Sequence, residues 1–109
     1  MKMAPIPFTP IDWEQIPVNE CPGDTGIAYI RMVDADNLRI RLVEYTPGYS
    51  ADHWCDKGHV VFVIEGNCTI EIQDSRTFLL TPGMSFCVGD GIDLHRASTD
   101  TGCRVFIVD

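Results

Sequence analysis

GYSADHWCDKGHVVFVIEG, residues 48–66, carries two of the chain's three histidines and runs directly into a short strand pattern at Val60 to Ile64. Glu65, Gly66 and Asn67 then supply turn chemistry, because glycine and asparagine tolerate backbone angles that other residues avoid. In an extended chain His53, Cys55 and His59 share one parity and so one face. That face would present three soft or borderline donors to a single point. Imidazole and thiolate are the ligands zinc prefers, and imidazole also suits iron, nickel and copper. Parity alone leaves metal ligation and hydrogen-bonded core packing as open alternatives for each histidine.

Outward from this stretch the chain reads as short strands separated by turns. The strands are expected at Thr25 to Met32, Leu38 to Thr46, Val60 to Ile64, Cys68 to Gln73, Thr77 to Leu80, Ser85 to Val88 and Cys103 to Val108. Leu38, Ile40 and Leu42 alternate with Arg39 and Arg41, the period of a half-buried strand. Asp34 to Asn37, Pro47-Gly48, Asp74-Ser75, Pro82-Gly83 and Gly89-Asp90-Gly91 punctuate the runs. Such regular spacing predicts an all-β sandwich or barrel. The first two dozen residues contain Pro5, Pro7, Pro10, Pro17 and Pro22, which exclude a long helix. We therefore expect an extended N-terminal arm over residues 1–24 and one β-barrel domain over residues 25–109. An arm of this kind often crosses to a second subunit, and a homodimer is expected. Trp54, of opposite parity to the candidate ligands, is expected on the outer face with Phe62 and Ile64, as an apolar patch suited to a dimer interface.

At 109 residues and 45% hydrophobic content the chain can build one domain with a core, and no more. A net charge of -8 with only eight Lys and Arg opposes binding to nucleic acid or to anionic membranes. The proline-broken N-terminus lacks the apolar run of a signal peptide, and no segment reaches the length of a membrane span. The five cysteines are widely separated, with no CxxC pair, which fits thiols kept reduced. The expected compartment is the cytoplasm.

The order Gly48, His53, Cys55, His59, Gly66, followed by Gly83 and His95, resembles the two motifs of the cupin superfamily. Cys55 stands where the family's second histidine belongs, His59 where its glutamate belongs, and the second motif is one residue long and lacks its usual proline. More closely, Asp52-His53-Trp54-Cys55 with Lys57-Gly58-His59, Pro82 to Ser85, His95-Arg96 and Phe106 to Asp109 is similar to a small group of DHCW-motif cupin-fold proteins over nearly the whole length. The resemblance implies a double-stranded β-helix, the jelly-roll barrel, with His53, Cys55, His59 and His95 on its inner wall around one divalent transition metal: zinc, iron or nickel. It implies a small organic molecule as ligand and no assured chemistry. If the chain is an enzyme, a metal-dependent dioxygenase or isomerase is expected; the alternative is a metal-free binding or structural module.

Ligand count separates these readings. Four donors around zinc close a tetrahedron and suit a structural site, whereas three histidines with Cys55 behind them leave positions open for substrate. Lys57 is expected in solvent, Cys21 exposed, and Cys68, Cys87 and Cys103 in the core. Tyr45, Tyr49 and Phe86 either ring the barrel mouth or pack in the core, Arg96 either orients an anion or forms a surface ion pair, and Glu65 and Asp90 are read as turn residues.

Overall fold

The computed structural model describes residues 3–109; Met1 and Lys2, at the start of the expected arm, lie outside them. Among the described residues nine strands follow a single short 3-10 turn at Trp13–Gln15: β1 (Asn19–Pro22), β2 (Ile27–Ala35), β3 (Leu38–Tyr45), β4 (His59–Gly66), β5 (Cys68–Ile72), β6 (Thr77–Leu80), β7 (Ser85–Val88), β8 (His95–Ser98) and β9 (Cys103–Val108). They form a six-stranded sheet ordered β1-β2-β3-β9-β4-β7 and a three-stranded sheet ordered β6-β5-β8. Every pairing is antiparallel. Among the described residues no helix is long and apolar enough to cross a membrane.

Alternation fixes which side chains enter the space between the sheets. On β4, Val61 and Val63 point inward while Val60, Phe62 and Ile64 stay exposed. On β9, Cys103, Val105 and Ile107 are buried in the same rhythm. From the small sheet Cys68, Ile70 and Leu80 join the core. A one-residue slip of β4 would exchange its buried and exposed faces, so the register is strongly specified. Gly66 makes the step from the large sheet to the small one, pairing with Cys103 just before β5 begins.

The structure departs from the sequence reading in several places. β3 turns Arg41, Val43 and Tyr45 toward the interior, with Val43 fully buried, so the Leu38-Ile40-Leu42 alternation marks the other face. That face has cover of its own: Trp13 packs edge-on against Phe106 at 6.3 Å, and the Ala4 amide donates to Asn37 Oδ1. The segment read as an extended arm contains a strand, β1, because Asn19–Pro22 pairs with β2 along the edge of the large sheet. β8 was not foreseen. Cys87, expected in the core, is exposed, since β7 is the edge strand and Cys87 pairs across Val60 on the outer face. Trp54 does not join Phe62 and Ile64; the Arg96 guanidinium lies 4.2 Å above its ring. Arg96 also pairs with Glu71 at 3.0 Å, which makes it a surface ion-pair residue.

Candidate metal centre

Three chain segments bring donors to one point. Cys55 lies in a loop, yet its backbone is clamped to the first residue of β8: the Cys55 amide donates to the His95 carbonyl at 2.7 Å and the His95 amide to the Cys55 carbonyl at 3.1 Å. His95 is in turn held in register opposite Ile72 of β5. His59 opens β4 opposite Val88 of β7. Its approach is fixed from below, because the Gly58 amide donates to Asp90 Oδ1 and a Cβ on Gly58 would come within 2.7 Å of the Asp90 amide nitrogen. Asp90, read from sequence as a turn residue, thus ties the loop before His59 to the loop after β7.

The ligand atoms of Cys55, His59 and His95 all lie within 4.8 Å of one another, the one such group among the described residues. His59 Nε2 and His95 Nε2 share a hydrogen bond of 2.7 Å. His95 Nδ1 donates to the Asp93 carbonyl at 3.1 Å, so its proton sits on that nitrogen and Nε2 is the atom offered to the cluster. Phe86 stands edge-on to both imidazoles, with centroids 5.8 Å from each. His95 is only 4% exposed, so this geometry is held by packing as well as by hydrogen bonds.

The electrostatics prepare His59 and Cys55 for a cation, whereas His95 must first give up a proton. Burial, then the neighbouring His95 and Arg41, push the His59 pKa down to about 4, which leaves a neutral imidazole near pH 7. The hydrogen bond to His95 draws the Cys55 thiol below its ordinary range, and the same bond to Cys55 raises His95. The Cys55–His95 pair therefore leans toward thiolate and imidazolium.

An ion fits this donor set. Tetrahedral zinc with Zn–N near 2.0–2.1 Å and Zn–S near 2.3 Å requires donor separations of about 3.3 Å between nitrogens and about 3.6 Å between nitrogen and sulfur. The His59–His95 contact of 2.7 Å would have to open by about 0.6 Å, and separations of up to 4.8 Å within the group to close by up to about 1.2 Å, for tetrahedral coordination.

His53 does not join them. Its ring is 78% exposed, and Nδ1 donates to Asp52 Oδ1 at 2.7 Å, an interaction that holds the Asp52 carboxyl below its usual range. The shared-parity argument fails here for a physical reason: residues 46–58 form no strand, and only Ser50 and Cys55 make isolated bridges. Lys57, whose parity also matched, is exposed to solvent. The four-ligand closed site is thus not assembled, and neither is the three-histidine set.

A cavity of about 240 Å³ adjoins the cluster between the two sheets. Its walls include Ile30, Val43, Val61, Val105 and Ile107, with Tyr45 stacked on Tyr49 at 4.4 Å. His53 reaches the same cavity from its rim, and Arg41, read from sequence only as alternating with Leu38, Ile40 and Leu42, lines it from within. A wider open groove of about 760 Å³ runs past Lys57, Asp90 and Asp109 at one end of the sandwich, and His59 borders it as well as the cavity.

No family model and no curated protein matches the chain. Solved structures do. The chain is similar to the polyketide cyclase RemF from Streptomyces resistomycificus, with a TM-score of 0.76 and 22% identity over 93% of this chain and 78% of that one. It is similar to a sugar phosphate isomerase of a cupin superfamily from Silicibacter pomeroyi, with a TM-score of 0.70 and 16% identity over 92% and 74% of the two chains. Fe(II)-HppE gives 0.71 and 14% identity over 94% of this chain and 60% of that one. At these identities the likeness shows the fold, which is that of the cupins.

Proposed function

We propose that this cupin-fold chain binds one divalent transition metal ion through Cys55, His59 and His95, and acts on or senses a small organic molecule in the adjoining cavity. The convergence of those three donors within 4.8 Å carries the reading. One sulfur and two imidazole nitrogens favour zinc, with iron and nickel as further candidates, and the Fe(II) in the similar HppE structure supports a metal in this fold. Three protein ligands leave a coordination position free, the mark of a site that takes substrate. An ion held there would supply Lewis-acid polarisation of an atom of the ligand.

The chain's own residues do the rest. Asp93 fixes the tautomer and tilt of His95 through the Nδ1 hydrogen bond, and Phe86 keeps both rings in place. Apolar walls limit water around the donors, which strengthens electrostatic interactions inside. A second reading has one observation in its favour: the cysteine and both histidines already hydrogen-bond among themselves, as in a metal-free module, with only His59 Nδ1 left without a partner.

Proton release tests the metal reading. At neutral pH His59 has already lost its proton, whereas the Cys55–His95 pair retains one, because Cys55 is lowered and His95 raised. Affinity for zinc should therefore climb as pH rises through the raised His95 value, with about one proton expelled per ion near pH 7. Calorimetry in two buffers of different ionisation enthalpy measures that count. Binding without proton release at pH 7 would contradict the ligand set.

We also propose a homodimer formed through the outer face of β4, where Val60, Phe62 and Ile64 are 45%, 43% and 36% exposed side by side. Sedimentation velocity should report a dimer that Phe62→Lys converts to monomer. A monomer in the unsubstituted protein would exclude it.

A further inference from the structure

Arg41 is the one arginine lining a cavity whose deeper walls are apolar and whose polar residues, apart from Asp52 and His53 at the rim, are the donor cluster and two tyrosines. It lies on β3 with Val43 and Tyr45, lines the cavity beside the donor cluster, and has a side chain only 21% exposed. Among the described residues its one acidic contact is to Asp109, Nη2 to Oδ2 at 3.3 Å, a distance long for a charge-assisted bond. The pair is incompletely made on both sides. Arg41 Nε and Asp109 Oδ1 are each buried with no hydrogen-bond partner. A buried Nε–H without a partner is costly unless something completes it, and a planar carboxylate matches the fork geometry of a guanidinium.

We propose that Arg41 is the anchor for a carboxylate group of the cavity's ligand. The ligand class follows: a small monocarboxylate with a short apolar body, its carboxylate on Arg41 and its body against Val43, Val61 and Val105. A cavity of about 240 Å³ is smaller than those that hold drug-sized molecules, which sets the size. The assignment rests on the functional reading above only for the ion; the anchoring by Arg41 stands without it.

The experiment uses the whole chain, metal-free and zinc-loaded, titrated by calorimetry with carboxylates from acetate to hexanoate and with their neutral amides. In both forms the best carboxylate should bind at least about tenfold more tightly than its amide. Arg41→Gln should remove that preference while leaving zinc stoichiometry intact, and Asp109→Asn should keep or strengthen it by freeing the guanidinium. Arg41→Lys, which retains charge without the fork, should show a partial preference and guards against misfolding of the glutamine variant, with circular dichroism checking both. A preference that survives Arg41→Gln would assign the carboxylate to the ion and overturn the proposal, as would absence of any preference in the unsubstituted chain. Failure to take up zinc with the carboxylate preference intact would instead count against the metal reading alone.

Discussion

His59→Ala is expected to weaken zinc binding by about 100-fold or more, since four-ligand structural sites bind with roughly 10–16 kcal/mol and one ligand accounts for about 3 kcal/mol of that. His59 is one of only three converging donors, so no neighbour replaces it. His53→Ala is the matched control: that ring is exposed and bound to Asp52, and its loss should change affinity by no more than about threefold. Competition against a chromophoric chelator reads both values on one scale. Should His59→Ala bind zinc like the unsubstituted protein and lose only thermal stability, the histidine would be a scaffold residue and the metal-free reading would stand.

Gly66→Ala is expected to destabilise the fold by about 3 kcal/mol or more, a loss large enough to unfold a marginal domain of this size. Gly66 has a φ of +71°, where a side chain is strained, and a Cβ would collide with the Gly102 carbonyl oxygen. Both obstacles are backbone, which cannot rotate aside. The residue sits where the chain leaves the six-stranded sheet for the three-stranded one, so relaxation there would separate His59 on β4 from His95 on β8. Urea denaturation followed by circular dichroism gives the cost directly. A change below about 1 kcal/mol would show that the sheet-to-sheet step can move, contrary to the close packing seen.

Much of the fold was legible because period-two alternation survives wherever a strand has one buried face. Thr77–Leu80, Ser85–Val88 and Cys103–Val108 are bounded in the structure as the sequence implies. β8 was hidden because Gly89, Asp90, Gly91 and Asp93 precede it and its residues, His95-Arg96-Ala97-Ser98, include no β-branched or large apolar side chain of the kind that marks a strand. β1 was hidden by Pro22, an acceptable residue on an edge strand, where no partner needs its missing donor.

The site was legible as residue types more than as geometry. Cys55 and His59 share the parity that selected them, but Cys55 owes its position to a bridge with His95 and not to a strand. His53 shares that parity too and still faces solvent. Arg41 was missed because β3 has apolar residues of both parities, and the larger count, at Leu38, Ile40 and Leu42, lies on the face that the N-terminal residues help cover. The inner parity was marked instead by Val43 and Tyr45. Burial pushes the Tyr45 hydroxyl well above its ordinary range, as expected for a phenol against this core.

Anomalous diffraction from crystals of zinc-loaded protein tests the ligand set most directly. The account places a single anomalous peak between Cys55, His59 and His95, with one sulfur near 2.3 Å, two imidazole nitrogens near 2.0–2.1 Å and His53 out of reach. A peak elsewhere, or none between these residues after saturation with zinc, iron and nickel in turn, would contradict it.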